Sequence, residues 1–592
     1  MYWEVYFGTS VFVSLTVVVS ILLLHYGAKK RHKVLTPFNI LVVGVFFALV
    51  ICLLPAFSTG SEGESVSIFE QIPLAIHNTF QAYTNNSDLQ ATLSKINCEN
   101  KTFATVYASY VAVLFVIAPV LTFGFVLSLF RDLTAYIKML FGVFRDTYVF
   151  SELNEKSLAL GTDIKKKHKR ATLVFMDVDN EEVDSGNDLL KEALDLGAIC
   201  FNKEILRVNF RVCRTKLVFF VIGGDDEKNV QYTINLLKLH KDRKNTELYI
   251  FTTGVESELV LCKAEKGEIR VKRINEDRAL ISRHLYLKGH CLFENARPKK
   301  NGDKVISVLL VGLGRHGTEM LKALSWYCQM DGYELEINAF DIDDRAKEKL
   351  EASVPDLLSP KYNGVKTSEE AEYTINVFPG VDVTGQSFVD KVMSIDRPTY
   401  VFVSLGSDEM NIRISVDLRK VFERMSIHPQ PTIQTLVYSS DAKSLLKGIA
   451  NYKGIPYNIE FIGDMRSFYK ESVIMDSKLD NLALAIHKQW KDEEDFWLYD
   501  YNYRSSIASA IHKQARIECG IPGADKPEEE RTPEEMRVIQ VIEHRRWNAY
   551  MRSEGYIYGK ERNDIAKVHN DLVRYSDQPR FARSEDPKSL SN

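Results

Sequence analysis

Several patterns that commonly identify an enzyme or a pore are missing from this sequence. Its eight cysteines include no CxxC pair and no Cys/His cluster, which excludes a disulfide framework and a zinc site of the usual spacing. The chain also has no GxSxG elbow, no HExxH helix and no Walker lysine, so three common catalytic signatures are absent. A TVGYG-type segment is absent too, and this excludes a potassium filter of the usual kind.

An excess of positive charge is also missing. Lys and Arg number 75 and Asp and Glu number 79, for a net charge of −4, so we expect no nucleic-acid partner. With 592 residues, the chain is too long for one compact core. Apolar residues crowd into the first 130 positions, and most of the charge follows them. This distribution predicts a membrane anchor followed by a larger soluble part.

Three long apolar stretches near the amino terminus predict a transmembrane domain over residues 1–131. Its helices are expected at about 7–26, 37–57 and 106–130, each long enough to cross a bilayer. The first stretch lacks a basic leader and a small-residue cleavage site, so it predicts a retained anchor. Basic residues lie between the first two stretches and after the third: Lys29, Lys30, Arg31, Lys33, Arg131, Lys138 and Arg145. By the positive-inside rule, we expect a multi-pass protein of the cell membrane, with its amino terminus outside and its carboxyl-terminal domains cytoplasmic.

Residues 132–147 follow as a predicted connector helix that is charged at intervals. Two roles stay open for it. It either transmits movement to the membrane domain or lies at the lipid interface with basic anchors.

The most sharply patterned soluble segment begins at Lys304. The apolar strand KVISVLLV runs into Gly312-Leu-Gly-Arg-His-Gly317, which is followed by the helical stretch TEMLKALSWYCQ and a second strand ending in Asp341. Strand, glycine turn, helix, strand and terminal acid in this order predict a doubly wound, Rossmann-like parallel sheet of six strands over residues 303–466.

The glycine turn predicts a site for NAD or another adenine nucleotide. Missing side chains let the backbone approach a pyrophosphate, the helix N-terminus supplies N–H groups, and the acid accepts ribose hydroxyls. The alternative is that the glycines only permit tight packing of the strand against the helix. The predicted cofactor-binding residues are Gly312, Gly314, Arg315, His316, Gly317, Asp341 and Gly406.

Residues 148–295 repeat this architecture in a degenerate form. Asp177 corresponds to Asp341, and a second set of four residues matches in order: Gly224, Asp226, Glu227 and Asn229 correspond to Gly406, Asp408, Glu409 and Asn411. The glycine turn is replaced by Glu152, Asn154 and Ser157, and a carboxylate there would repel a phosphate. We expect the first copy to be structural or to bind an uncharged ligand.

The two copies resemble TrkA-N/RCK regulatory domains. The resemblance is carried by GLGRHG with its following acid and by the stretches FVSLGSDEMNIRISVDLR and FVIGGDDEKNVQYTINLL, over about residues 146–464. Those domains sense ligands for cation transport proteins, so the resemblance implies a nucleotide-type ligand and cytosolic assembly into a homo-oligomer.

Residues 467–592 predict a helical linker and a small, mainly α-helical module. Thr532-Pro-Glu-Glu is a helix-start signature, with Thr532 as the cap and Pro533 at the first helical position. The helix-borne Trp547, the turn Gly555-Tyr-Ile-Tyr-Gly559 and the close KVHNDLVRY resemble the ryanodine-receptor (RyR) repeat domain, although Asn570 stands where that family usually has proline.

This RyR module offers flat aromatic faces and polar donors to an anionic or purine-like ligand. The predicted ligand-binding residues are His544, Arg546, Trp547, Tyr556, Tyr558, Asp564, Lys567, His569 and Tyr575. The alternative is that the aromatic residues form the small core of the module and the basic residues are merely solvated.

The leading functional hypothesis is a ligand-gated membrane effector or ion channel. The soluble domains would sense a nucleotide-derived signal and alter membrane permeability, and by family analogy this would serve anti-phage defence. Three helices per chain cannot enclose much of a pore, so the hypothesis requires a homo-oligomer.

Two alternatives stay open. A membrane-bound NAD-dependent oxidoreductase would need an acid–base set near the glycine turn, and the most appealing Tyr-xxx-Lys spacing, from Tyr556 to Lys560, lies far along the chain. A regulatory subunit of a separate cation transporter is the other. The absence of an acid–base set favours a protein that is not an enzyme.

Overall fold

The computed structural model of the chain divides into two units, Met1–Lys138 and Met139–Asn592. The described residues are 2–27, 37–58, 65–96, 100–129, 131–178, 188–254, 257, 260–261, 264–300, 302–362, 365–366, 373–439, 451–452, 455–475 and 477–578.

The first unit is helical. Its helices are α1 (Tyr2–Gly27), α2 (Pro37–Leu53), α3 (Ile68–Tyr83), α4 (Leu89–Ser94) and α5 (Lys101–Leu129). Helices α1, α2 and α5 carry stretches long and apolar enough to cross a bilayer, which confirms the three predicted apolar helices at this level. The second is shorter than predicted, because it gives way to a single 3₁₀ turn over Leu54–Phe57, whose second residue is Pro55.

Polar side chains of this unit bond to main-chain carbonyls of α2. The Ser10 hydroxyl, fully buried, donates to the carbonyl of Ala48 at 2.8 Å, and the Tyr107 hydroxyl donates to the carbonyl of Cys52 at 2.6 Å. Such bonds satisfy polar groups between apolar helices. The basic residues Lys29–Lys33, on which the predicted orientation depends, lie outside the described residues, so the orientation stays a prediction.

Helix α6 spans Arg131–Phe141 and is shorter than the predicted connector over 132–147. It ends before Gly142, and Thr147 already begins the first strand of the soluble unit. The poor helix propensity of glycine accounts for the early end.

The second unit contains two parallel sheets of six strands each. The first sheet consists of β1 (Thr147–Phe150), β2 (Thr172–Phe175), β3 (Ile199–Cys200), β4 (Leu217–Val221), β5 (Thr246–Phe251) and β6 (Arg270–Ile274). The second consists of β8 (Lys304–Val311), β9 (Tyr333–Phe340), β12 (Tyr373–Phe378), β13 (Tyr400–Val403), β14 (Thr432–Leu436) and β17 (Ile459–Ile462), with β7 (Arg297–Pro298) antiparallel to β8.

Both sheets have the same strand order. The orders are β3-β2-β1-β4-β5-β6 and β12-β9-β8-β13-β14-β17, and numbered within each sheet both read 3-2-1-4-5-6. Every residue of β4 and every residue of β8 after Lys304 is buried, as expected for parallel strands covered on both faces. The predicted α/β architecture built on parallel sheets is confirmed.

Helices cover the sheets. The helices between β1 and β14 are α7 (Glu155–Lys167), α8 (Asp188–Asp195), α9 (Asp226–His240), α10 (Glu276–Lys288), α11 (His290–Glu294), α12 (Arg315–Tyr327), α13 (Ala346–Ser353), α14 (Gln386–Ser394) and α15 (Asp408–Arg424). The carboxyl-terminal segment adds α16 (Met465–Phe468), α17 (Glu471–Ile474), α18 (Lys478–His487), α19 (Glu493–Leu498), α20 (Asp500–Glu518) and α21 (Pro533–Ser553).

Short strands outside the two large sheets pair with one another. The pairs are β10 (Lys361–Tyr362) with β11 (Val365–Lys366), β15 (Asn451–Tyr452) with β16 (Ile455–Pro456), and β18 (Ile557–Tyr558) with β19 (Val568–His569). The last of these pairs lies within the carboxyl-terminal module.

The carboxyl-terminal segment packs into the cores of both sheets rather than beside them. Ile511 of α20 and Tyr550 of α21 belong to the core on one face of the second sheet, whereas Phe468 belongs to the core of the first sheet. Helix α10 falls inside the predicted first copy at 148–295, yet its Ile281 packs in the core of the second sheet. The predicted domain boundaries therefore cut through shared cores.

Candidate functional site

The three glycines of the predicted turn play different roles. Gly312 has a φ of +93°, and a Cβ there would lie 2.3 Å from the carbonyl oxygen of Ser404. A Cβ at Gly317 would lie 1.8 Å from the carbonyl oxygen of Gly312. At Gly314, by contrast, no atom lies within 4 Å of the position a Cβ would take. Two glycines therefore serve the close packing of strand and helix, and the middle one leaves open space at the helix end.

Gly314 is the N-cap residue of α12. Within the described part of the chain, no side chain caps this helix end, so the N–H groups of its first turn can donate to a ligand. Arg315, the first helical residue, has a side chain that is 72% exposed. The end of α12 thus combines open space, main-chain donors and a nearby guanidinium.

Asp341 lies at the end of β9, next to the turn. One carboxylate oxygen accepts the N–H of Leu313 at 2.6 Å and the other accepts the N–H of Asp343 at 2.8 Å. Each oxygen has a second lone pair and can accept a further hydrogen bond. Asp341 therefore fixes the glycine turn and can still accept a ribose hydroxyl.

Asp277 and Tyr438 contact the turn, although the sequence did not predict them as site residues. A carboxylate oxygen of Asp277 lies 2.9 Å from Nε2 of His316, and its other oxygen lies 3.5 Å from Nε of Arg315. The Tyr438 hydroxyl also lies 2.9 Å from Nε2 of His316. Asp277 of α10 thus positions the side chains of Arg315 and His316, and Tyr438, in the loop after β14, also positions His316. A negative residue at the start of a helix is too common a pattern to reveal this contact.

Electrostatics keep Asp277 ionised. Burial alone would raise the pKa of its carboxyl group, but the hydrogen bond and charge of His316, together with the charges of Arg315 and Lys156, hold the pKa below its ordinary value. Burial raises the pKa of Tyr438 to about 12, and the neighbouring carboxylate of Asp277 adds to the effect. Asp277 therefore supplies a fixed negative charge beside Arg315 and His316.

The repeated acidic motif has a structural role at the same edge of the sheet. Asp408 accepts the N–H groups of Tyr438 at 3.0 Å and Ser439 at 2.8 Å, and the Asn411 amide donates to the carbonyl of Leu436 at 2.9 Å. These bonds tie the end of β13 to the end of β14. Gly406, which precedes them with a φ of +86°, lies at the exposed rim of the crevice.

The first copy repeats these bonds. Asp226 accepts the N–H groups of Thr253 at 2.8 Å and Gly254 at 3.1 Å, and the Asn229 amide donates to the carbonyl of Phe251 at 2.9 Å. The matching residues therefore form the same hydrogen bonds in both sheets. These bonds explain why the motif is repeated, and no bound ligand is needed for that explanation.

The helix end of the first copy is filled by its own side chains. Asn154 caps α7, accepting the N–H of Ser157 at 2.9 Å and donating to the carbonyl of Ile222 at 2.9 Å. Across the crevice, the ammonium of Lys228 lies 3.1 Å from a carboxylate oxygen of Asp177, and this hydrogen bond raises the pKa of Lys228. At the position that corresponds to Gly314, the Asn154 side chain thus occupies the helix end and takes up one of its main-chain donors.

In the carboxyl-terminal module, four predicted ligand residues lie together. The Trp547 ring stacks on His544 with centroids 5.9 Å apart and meets His569 edge-on at 5.0 Å. Tyr575 meets His544 at 5.9 Å. Burial lowers the pKa of both His544 and His569, so neither supplies a positive charge at neutral pH.

Three predicted charged residues of this module already have partners within the chain. Arg546 is 2% exposed and lies 2.9 Å from Glu543. The Lys567 ammonium donates to the carbonyl of Glu554 at 2.6 Å, and Asp564 pairs with an exposed arginine two residues earlier.

The two remaining tyrosines, Tyr556 and Tyr558, pack half-buried against the core of the second sheet. These contacts favour the alternative in which the aromatic residues form a small core, with the basic residues paired rather than solvated.

No protein-family model and no curated protein matches the chain. Among solved structures, the crystal structure of a dipicolinate synthase subunit from Bacillus halodurans is similar to it, at 7% identity over 56% of this chain and 93% of that chain, with a TM-score of 0.20. At that score the likeness carries no argument about the site.

Proposed function

We propose that this chain is a ligand-regulated membrane protein. Its second parallel sheet, interpreted as a Rossmann-type domain of the TrkA-N/RCK kind, binds NAD or another adenine nucleotide at the glycine turn. Binding alters the permeability of a membrane assembly built from the apolar helices of several copies, with the soluble unit in the cytoplasm. A role in anti-phage defence, and the RyR character of the carboxyl-terminal module, belong to the same proposal.

The observation that carries the ligand assignment is the difference between two matching helix ends. In the first sheet, the Asn154 side chain occupies the end of α7 and Lys228 neutralises Asp177. In the second sheet, Gly314 leaves the end of α12 open and Asp341 keeps accepting capacity. Two copies with one strand order and one set of structural bonds thus differ at the place where a pyrophosphate would bind.

The membrane output is supported by the three apolar helices of the same chain. A pore that conducts ions needs more helices than one chain supplies, so the proposal includes a homo-oligomer. Gating further requires that the nucleotide bind one membrane state more tightly than the other, because equal affinity shifts no population.

The test uses the full chain reconstituted in liposomes, with NAD and ATP as probes. We expect saturable binding of one probe and a ligand-dependent change in ion flux. Gly314→Val should weaken binding at least tenfold without unfolding the chain, because the backbone there has a φ of −63° and a Cβ meets no atom within 4 Å. Gly224→Val is the matched control, since it places the same side chain in open space at the rim of the first sheet.

Three results would contradict parts of this proposal. Undiminished binding in Gly314→Val would remove the glycine turn as the site. Normal nucleotide binding with the same ion flux in the presence and absence of nucleotide would contradict the effector role. Turnover of NADH by the purified chain would favour the oxidoreductase alternative.

A further inference from the structure

A cavity of about 310 Å³ lies within the second unit, and its lining does not include the glycine turn. Its walls come from β6, α10, α12, α16, α17, α18, α20 and α21. None of the residues that line it belongs to the segment 312–317 or to the predicted cofactor-binding set. The volume lies within the range of sites that hold one small molecule.

Positive charge exceeds negative charge on the wall of this cavity. Seven Lys and Arg side chains line it against four carboxylates. Each carboxylate already has an arginine or lysine partner at close range: Glu319 and Glu554 pair with Arg278 at 3.0 and 3.2 Å, Asp500 pairs with Arg273 at 2.7 Å, and Asp480 pairs with Lys272. Further cations share these partners, since Arg504 adds to the pairs of Asp500 and Glu554 and Lys322 lies 3.6 Å from Glu319. The wall therefore carries more cations than its own carboxylates can neutralise.

Arg283 is the most informative of these cations. Its side chain is half-buried, and its guanidinium donates to the carbonyl of Ser467 at 3.4 Å. Among the described residues, no carboxylate lies within ion-pair distance of it. Burial lowers the pKa of Arg283, as expected for a cation held away from water without a counter-charge. An anion in the cavity would supply that counter-charge.

Tyr550 provides a second, independent observation. Its side chain is 3% exposed and lines the cavity, and its hydroxyl has no hydrogen-bond partner among the described residues. Buried hydroxyls normally have a partner, because an unpaired one costs free energy. The ring of Trp326, also on the wall, meets the Tyr550 ring edge-on with centroids 6.3 Å apart. The wall thus offers flat apolar faces beside an unused polar group.

We propose that this cavity is a second ligand site, which takes a small anion bearing a flat ring, of the mononucleotide class. Arg283, with Lys478 and Lys322 also on the wall, neutralises the phosphate. Trp326 and Tyr550 contact the ring, and the Tyr550 hydroxyl bonds to a polar atom of the ligand. The site goes beyond the function proposed above, because it requires neither the glycine turn nor a membrane output.

The experiment uses the full chain in detergent. Every variant also carries Gly314→Val, so that nucleotide binding at the glycine turn does not contribute to the signal. AMP, GMP, adenosine and inorganic phosphate are titrated by equilibrium dialysis. We expect saturable binding of AMP or GMP, with adenosine and phosphate each at least tenfold weaker. Arg283→Gln should weaken nucleotide binding at least tenfold, and Lys420→Gln, a surface change on α15, should leave it unchanged.

Tyr550→Phe separates a ligand contact from a structural role. We expect binding to weaken three- to tenfold while the melting temperature of the empty protein stays the same or rises, because the hydroxyl bonds to no described residue. Lack of saturable binding by either nucleotide in the Gly314→Val chain would overturn the proposal, as would unchanged binding in Arg283→Gln. Phosphate binding as tight as nucleotide binding would overturn the ring contact. A lower melting temperature in Tyr550→Phe would show that the hydroxyl acts within the fold and would overturn its assigned role.

Discussion

The ion pairs of Glu554 should be a major source of stability in the soluble unit at neutral pH. Glu554 follows α21, its side chain is 13% exposed, and it lies 3.2 Å from Arg278 and also pairs with Arg504. Burial alone would raise the pKa of this carboxyl group, but the charges of Arg278, Arg504 and Lys322 outweigh it and lower the pKa to about 2. Glu554→Gln removes the charge and leaves Arg278 paired with Glu319 and Arg504 paired with Asp500.

The size of the effect follows from the two pKa values. The carboxyl group titrates near 4.5 in the unfolded chain and about 2 in the folded one, and this difference corresponds to roughly 3 kcal/mol of folding free energy at pH 7. Because the folded pKa is the lower one, the contribution is complete above 4.5 and is lost as the pH falls through 2. At pH 3 less than half of the contribution should remain.

The assay is thermal unfolding of the full chain in detergent, followed by tryptophan fluorescence. For a unit of about 450 residues, 3 kcal/mol corresponds to a decrease of roughly 3 °C in melting temperature at pH 7. The control is Glu348→Gln, which removes a carboxylate that is 67% exposed and should change stability by less than about 0.5 kcal/mol. If Glu554→Gln and the control unfold at the same temperature at pH 7, or if their difference does not shrink toward pH 3, the charge assignment is wrong.

Further changes test the local structure. Gly317→Ala should destabilise the fold by about 3 kcal/mol because its Cβ meets a carbonyl at 1.8 Å, whereas Gly314→Ala should cost less than about 0.5 kcal/mol in the same thermal unfolding assay. Asn411→Ala and Asn229→Ala should each cost about 1–3 kcal/mol in urea unfolding, and their effects should add because the residues lie in different sheets. Thr532→Ala should cost about 1 kcal/mol and speed amide exchange in the first turn of α21.

Local sequence patterns predicted the elements that depend on neighbouring residues. Alternating apolar runs and helical stretches indicated parallel sheets, and both sheets are present. The capping signature at Thr532 is confirmed, since its side chain accepts from Glu535 and the Glu535 side chain returns the bond. Such features need only a few adjacent residues, so their physics is visible in the sequence.

Side-chain roles that depend on tertiary packing were harder to predict. Arg546 has the residue type of an anion-binding donor, but Glu543, one turn earlier on the same helix, engages it. In the first copy, Glu152 predicts charge repulsion against a phosphate, and the structure adds a second obstacle, because the Asn154 side chain occupies the helix end. The cavity was not predicted at all, because its wall is assembled from eight elements that lie far apart in sequence.

Helix α10 gives the glycine turn and the cavity a direct physical connection. Its adjacent residues Asp277 and Arg278 reach different partners on α12: Asp277 contacts His316 at the turn, and Arg278 contacts Glu319 on the cavity wall. His316 and Glu319 are three residues apart on α12 and therefore lie on the same face of that helix. A ligand that draws Arg278 away from Glu319 would thus change the contacts of the helix face that carries His316. Any coupling between the two proposed ligands must be reciprocal: whatever factor the proposed cavity ligand applies to the affinity of the proposed nucleotide, that nucleotide applies to the affinity of the cavity ligand.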